Sequence, residues 1–346
     1  MGKSGGDSYF DLGSVIESSK LFGYGKVPYR VLGRWHYPAS QIYKIRMLGN
    51  DTDIVFVKLL NRNEDEICKH QILIENEYNV LKLMYEKCNS AEYGVVEPLE
   101  CIKSRLALIT KGEEGQRLDQ ILLNIRPFSS VDHSQILGGM VSAGMWLRCL
   151  FESTKLLEND YDINKGILDE IDMGVEIIQS YKKSREWILW GKVLISSVSK
   201  LVNSIDGALL KESLCHGDFI PGNILLSKSG KTVVLDLTDS SRGMIYKDLA
   251  YFWQWIDELG KRRPWYRGNE IEQMKSHLLK GFFQGEIPST LVNIFVIKTG
   301  IRKISAMVQK RSGPFLGNFM RERRVDYWKR KLLMIAENGC NVVREG

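Results

Sequence analysis

One segment constrains this chain more than any other: residues 214–239, LCHGDFIPGNILLSKSGKTVVLDLTD. Two short apolar, β-branched runs, residues 224–227 and 232–237, flank Lys228-Ser229-Gly230-Lys231, and short apolar runs around a polar, glycine-containing turn predict a β-hairpin. A four-residue turn centred between Ser229 and Gly230 sets Asn223 directly opposite Asp236. Opposed residues share a face with Cβ atoms about 4.5–5.5 Å apart, so an amide oxygen and a carboxylate are brought together. Such hard oxygens are Mg²⁺ ligands. Asp218 lies five residues before Asn223, on the Gly- and Pro-containing loop that leads into the hairpin. A carboxylate placed there reaches a hydroxyl set in line with a metal-bound phosphate.

The patterns on either side of this segment differ. Before it, residues 41–48 (QIYKIRML) and 54–60 (IVFVKLL) flank Gly49-Asn50-Asp51 and predict another hairpin. Residues 65–87 then carry Ile67, Ile74, Tyr78, Leu81 and Tyr85 on one helical stripe. Residues 95–101 and 106–110 read as further strands, and the polar KGEEGQ at 111–116 as a hinge. From residue 118 the periods are mainly helical, over 118–125, 132–153, 164–182, 186–210 and 247–260, and then onward to the C-terminus with a break at 313–317. With 346 residues available, these patterns predict an α+β protein of two lobes. Residues 1–27, rich in Gly and Ser, form a flexible lead-in; residues 28–110 form a β-rich N-terminal lobe, and residues 117–346 a mostly helical C-terminal lobe. Gly2-Lys3-Ser4 lacks the upstream glycine and strand of a P-loop.

His216-Gly217-Asp218, then Asn223, then Asp236, resembles the catalytic and metal-binding core of the aminoglycoside phosphotransferase family, which includes choline-kinase-like and sugar-kinase-like members and is related to protein kinases. Gly243 and Asp248-Leu249-Ala250 follow at the family's spacing, and Trp146-Leu147-Arg148 lies in a helix like the one preceding the family's catalytic loop. The likeness spans roughly residues 30–260 and is specific over 214–250. It implies a bilobal, protein-kinase-like fold that binds ATP and Mg²⁺ between its lobes and phosphorylates a hydroxyl of a small molecule. It implies Asp218 as the catalytic carboxylate, Asn223 and Asp236 as Mg²⁺ ligands, and His216 and Asp248 as braces of the loop.

The family also places a phosphate-binding lysine where Lys58 stands in its apolar strand, and a helix glutamate that holds it. A charge inside such a run calls for a partner. Glu77 falls about 60° from Ile74 on the helix and Glu75 about 100°, which favours Glu77. Backbone groups of Ile109 to Lys111 are expected to meet the adenine. The phosphate loop corresponds to residues 32–45, where Ser40 offers a hydroxyl or N–H, although this stretch has one glycine and a bulky Trp35-His36-Tyr37. Other departures are Leu237 where the family often has Trp, Met244 in place of an acid, and Phe151 where the helix often ends in His; they bear on acceptor identity more than on chemistry. The competing readings are a protein kinase, opposed by HGD in place of an Arg-Asp pair and by the lack of an APE-like segment, and a non-catalytic ATP-binding scaffold.

Charge sharpens the choice of acceptor. The net charge is +6, yet residues from Lys261 onward hold 18 Lys and Arg against 7 Asp and Glu, a surplus of 11 that leaves −5 for the rest. Such a basic end disfavours a polycationic aminoglycoside and suits a sugar-like or anionic acceptor, or contact with an anionic surface. No aromatic-basic reader module points to a specific nucleic-acid partner. The six cysteines are not at metal-ligand spacing and predict reduced thiols. With no run of about 18 apolar residues and no apolar leader after the first residues, a cytoplasmic protein is expected.

Overall fold

The computed structural model describes residues 12–48, 54–61, 66–125, 133–156, 163–205, 210–263, 265–266, 268–310 and 315–338. The chain divides into two compact units, Met1–Leu118 with Asn223–Ser240, and Asp119–Gly222 with Ser241–Gly346. Residues 1–11, the turn at 49–51 and residues 313–314 of the break at 313–317 lie outside the described residues, and 315–317 of that break open a helix.

The first unit is built on β1 (Tyr29–His36), β2 (Ser40–Met47), β3 (Ile54–Leu60), β4 (Tyr93–Val95), β5 (Pro98–Ile102) and β6 (Ala107–Lys111). Five of these make one sheet in the order β1-β2-β3-β6-β5. Alternation along the strands sends Tyr43, Ile45, Val55, Val57, Leu59 and Ile109 into one buried cluster. The opposite face carries Ile42, Lys58 and Leu108, which lie in one row across β2, β3 and β6. Helix α1 (Leu12–Glu17) caps the buried face with Leu12, Val15 and Ile16. Those three follow i, i+3, i+4 spacing within a Gly- and Ser-rich stretch, so part of the expected flexible lead-in is a packed helix, too short for its period to register.

Helix α2 (Ile67–Lys87) buries Ile74, Glu77, Leu81 and Met84 on one stripe. A second sheet, in the order β4-β10-β9-β7, contains β7 (Gly115–Arg117), β9 (Ile224–Ser227) and β10 (Thr232–Val234). The hairpin β9–β10 therefore pairs with strands of the N-terminal part, and a piece of the polar stretch 111–116 is strand β7 rather than open hinge.

The hairpin register departs from the expected one. Ile224 pairs with Val234, and the Leu235 N–H donates to Asn223 O at 2.9 Å, so Leu235 and not Asp236 stands opposite Asn223. The turn has three residues, Lys228 to Gly230, because Gly230 takes a left-handed φ of 88° and lets the Ser227 N–H reach Lys231 O at 2.9 Å. KSGK suits a three- or a four-residue turn equally, and the glycine decides it.

The second unit contains α3 (Leu118–Asn124), α4 (His133–Thr154), α5 (Ile163–Tyr181), α6 (Arg185–Asn203), β8 (Ser213–Cys215), β11 (Ser241–Gly243), α7 (Tyr246–Arg262), α8 (Gly268–Phe283), α9 (Ser289–Gln309) and α10 (Phe315–Asn338). Helix α4 buries Met140, Ala143, Trp146, Leu147 and Leu150, and α9 is buried almost all round. No helix among the described residues is long and apolar enough to cross a membrane. Cys68, Cys101 and Cys215 carry free thiols, as expected, whereas Cys88 and Cys149 are disulfide-bonded, which corrects the expectation for those two. Scattered cysteines reveal no pairing from sequence spacing alone.

Candidate functional site

In the first unit the site grows from one position on β3. Val57 and Leu59 point into the core, so Lys58 between them points to the other face. Its ammonium donates to Glu77 Oε1 and Oε2 at 2.9 and 3.0 Å, to Asp236 Oδ1 at 2.7 Å and to Thr238 Oγ1 at 2.5 Å. Glu77 is 2% exposed. The Thr238 hydroxyl lies 2.9 Å from Glu77 Oε2 and 2.6 Å from Asp236 Oδ1, and its single proton serves one of them at a time. Burial disfavours charge on Lys58, but the carboxylates of Glu77 and Asp236 outweigh it and raise the Lys58 pKa, so the ammonium is kept. Glu75 is elsewhere, ion-paired with Lys103 at an exposed position.

Burial raises the Glu77 pKa against the pull of Lys58; with both acids ionised, two carboxylates against one ammonium leave this cluster one positive charge short. Asp236 has a half-exposed side chain and a left-handed backbone, φ 59°, which places it beyond the β10 ladder. Asp is among the few side chains that adopt this conformation at modest cost, and such outliers concentrate at functional positions. Asn223 closes a 3₁₀ turn, Pro221–Asn223, and the Leu235 N–H bond to its carbonyl ties it to the residue preceding Asp236. A carboxylate, an amide and a deficit of positive charge fit Mg²⁺, which takes hard oxygen ligands.

The remaining nucleotide-side candidates are placed less simply. The stretch 32–45 is mostly strand, with a tight turn at residues 37–39 in place of an open phosphate loop. The Tyr37 N–H donates to Ser40 O at 2.8 Å, and Asn61 pins the turn through its N–H to Ala39 O and its amide to Pro38 O, at 2.9 and 2.6 Å. Ser40 is buried, on the Lys58 face of β2. The Ile109 side chain lies in the core. The Lys111 N–H is taken by Glu97 O and the Gly112 N–H by Ile54 O, so neither is available to a base.

In the second unit, β8 delivers the loop His216-Gly217-Asp218, and β8 is paired with β11. Asp248, in the first turn of α7 and 1% exposed, accepts from the His216 N–H at 2.6 Å and the Gly217 N–H at 3.1 Å. Gly217 has φ 89°, a conformation that favours glycine and turns both N–H groups to the same carboxylate. Burial pushes Asp248 up to about 6 against Lys247 and these two donors. His216 is fully buried; its Nδ1 accepts from the Asp218 N–H at 3.3 Å, and its ring meets Trp146 and Phe219 edge-on at 5.9 and 5.5 Å. His216 and Asp248 therefore fix the backbone on which half-buried Asp218 is carried.

The model of the APH phosphotransferase enzyme family matches residues 183–273, which hold this loop, the hairpin and Asp248. The resemblance to the aminoglycoside phosphotransferase family drawn from residues 214–250 is thus met by that family's own pattern. No curated protein matches the chain. Among solved structures, a thermostable mutant of aminoglycoside phosphotransferase APH(4)-Ia in its apo form is similar with a TM-score of 0.53 and 13% identity, over 94% of this chain and 98% of that one. The streptomycin–ATP ternary complex of APH(2")-IIa gives 0.52 and 13%, over 92% and 96%. Choline kinase LicA from Streptococcus pneumoniae gives 0.50 and 14%, over 88% and 94%. At such identities the likeness concerns the fold, and the fold is α+β, bilobal and protein-kinase-like, with a β-rich N-terminal and a mostly helical C-terminal lobe.

Proposed function

We propose that this chain transfers the γ-phosphoryl group of ATP to a hydroxyl of a small molecule, one that is sugar-like or anionic rather than an aminoglycoside. The observation that carries this reading is Lys58, with its ammonium spread over Glu77, Asp236 and Thr238. A partly buried lysine held by a buried glutamate and set against an acid that ends a hairpin is an arrangement for polyphosphate, in which charge neutralisation and positioning do most of the catalysis. The family match over residues 183–273 and a similar fold seen in complex with ATP support it.

Each residue then has a role. Glu77 holds Lys58 so that its charge serves the phosphates. Asn223 and Asp236 hold Mg²⁺, which when bound neutralises phosphate charge. Asp218 accepts a hydrogen bond from the acceptor hydroxyl and takes its proton as the bond from that oxygen to phosphorus forms and the bond to the ADP oxygen breaks. Asp248 and His216 hold the Asp218 backbone and do not touch the reactants.

The test is ADP release by the intact chain with Mg²⁺·ATP over a panel of sugars, sugar acids, amino alcohols and kanamycin-type amines. Acceptor-stimulated release that disappears in Asp218→Asn is expected. Nucleotide binding with no acceptor-stimulated release from any member would identify an ATP-binding scaffold instead.

A further inference from the structure

The C-terminal basic surplus is not simply spread over solvated faces. Helix α7 carries Asp248, Tyr251, Trp255, Glu258 and Arg262 at i, i+3, i+7, i+10 and i+14, so all five lie on one stripe. Asp248, at the head of that stripe, holds the N–H groups beside Asp218. Some 15 Å farther along, at about 1.5 Å per residue, Glu258 gathers three cations: Lys303 at 2.6 Å, Arg324 at 2.9 Å and Arg262 at 3.1 Å. Arg262 also lies 5.8 Å above the Trp255 ring.

Parallel packing of α9 on α7 sets this geometry. The Gln254 amide donates to Thr299 Oγ1 at 2.6 Å, and four residues on along each helix Lys303 meets Glu258. One buried carboxylate thus fixes three cations, two of them, Arg262 and Arg324, with nearly half of their side chains exposed. The adjacent Arg302 is exposed and makes no ion pair among the described residues. Tyr251, 41% exposed, sits between the two ends. Burial raises the pKa of its hydroxyl first, then the charge of Asp218; Arg302 lowers it and Glu258 raises it, so all three charges bear on that hydroxyl.

We propose that the acceptor carries an anionic group, phosphate or carboxylate, received by Arg302 and the cations around Glu258, while Tyr251 and Trp255 flank the body of the molecule between that group and Asp218. A net positive end of this stripe repels amines and draws anions, and guanidinium groups bind phosphate and carboxylate with paired hydrogen bonds. This assignment rests on the phosphotransferase reading above and names its substrate class.

Binding of inorganic phosphate, glucose 6-phosphate, glucuronate and glucose to the full chain in the presence of Mg²⁺·ADP, followed by calorimetry, tests it. At least one anion is expected to bind tenfold or more tighter than glucose; phosphate against carboxylate preference identifies the group. Arg302→Ala should weaken that anion about tenfold, and Arg302→Lys should recover part of the loss, which a general structural defect would not allow. In turnover with the same anion the loss should fall on KM more than on kcat. Anions binding no tighter than glucose, or an Arg302→Ala protein that binds them as the wild type does, overturns the subsite. Failure of the phosphotransferase reading is read separately, as absence of Mg²⁺·ADP binding or of Asp218-dependent transfer.

Discussion

Glu77 sets both carboxylate oxygens on the Lys58 ammonium, at 2.9 and 3.0 Å, from a position two residues beyond Glu75 on the same helix. Two residues are 200° of turn, and that separates a 2%-exposed acid from one whose side chain is 39% exposed beside Lys103. The first pair is desolvated and holds a charge the site needs. The second is a surface pair, worth at most about 1 kcal/mol.

Glu77→Gln should therefore lower kcat/KM by about a hundredfold, roughly 2.7 kcal/mol of transition-state stabilisation, because a neutral amide leaves the Lys58 charge to be shared by Asp236 and Thr238 alone. Glu75→Gln should stay within about threefold of the wild type by the same conversion. Steady-state ADP release with both variants decides it; a larger loss in Glu75→Gln would show that the exposed pair serves the phosphates.

Lys58 and Glu77 were visible because each rests on a local period, alternation in β3 and the helical stripe of α2, and the two periods alone aim the side chains. The closeness of Asn223 to Asp236 was visible because both lie at the end of one short hairpin, where the Leu235 N–H bonds to Asn223 O. The register of β9 on β10 was not, since Lys228-Ser229-Gly230-Lys231 suits two turn lengths and a one-residue shift changes every opposed pair. The left-handed backbone of Asp236 and the part played by Thr238 were also hidden. Thr238 reaches Glu77 across 161 positions of sequence, and no local pattern encodes that contact. Helix α1 and strand β1 escaped for a related reason: six residues, and a strand exposed on both faces, carry too little periodic signal.

The left-handed φ of Asp236 makes the choice of substitution matter. Asn adopts that backbone readily, whereas Ala costs about 1–2 kcal/mol there. Asp236→Asn should fold with a thermal midpoint close to that of the wild type and lose Mg²⁺-dependent ATP affinity, leaving two neutral amides as ligands. Asp236→Ala should lose both affinity and some stability. Mg²⁺ titrations of nucleotide binding, run beside thermal melts, separate the effects, and an unaltered Mg²⁺ dependence in Asp236→Asn would place the metal elsewhere.

Asp218→Asn should keep its fold, since His216 and Asp248 hold the loop through backbone N–H groups that the substitution leaves intact. ADP affinity should be unchanged and kcat lowered by about 10²–10⁴, the usual share of a general base. Near-normal turnover would remove Asp218 from the chemistry.

Stability should depend on pH in two opposed ways. Asp257 and Glu258 are buried, which by itself raises their pKa values, but Lys275 with Lys331 beside the first and Lys303 with Arg324 beside the second bring both down to about 2, from ordinary values of 3.8 and 4.5. A depressed folded-state pKa gives stability that is present above the ordinary value and lost as pH falls through the lowered one, about 2–3 kcal/mol for Asp257 and about 3–4 kcal/mol for Glu258. Asp248 has the other sign. Burial lifts it to about 6, so its contribution is full below pH 3.8 and is lost as pH rises through 6. Stability should consequently climb between pH 7 and 5, peak between about 4 and 5, and fall steeply below 4. Asp248→Asn should flatten the upper limb and leave the acid limb in place, while Glu258→Gln should flatten part of the acid limb at a cost in stability at pH 7, because Lys303, Arg262 and Arg324 lose the carboxylate they share. Urea unfolding midpoints from pH 2.5 to 8 for the three proteins test this, and an upper limb that persists in Asp248→Asn would show that another group, not the brace of the Asp218 loop, titrates there.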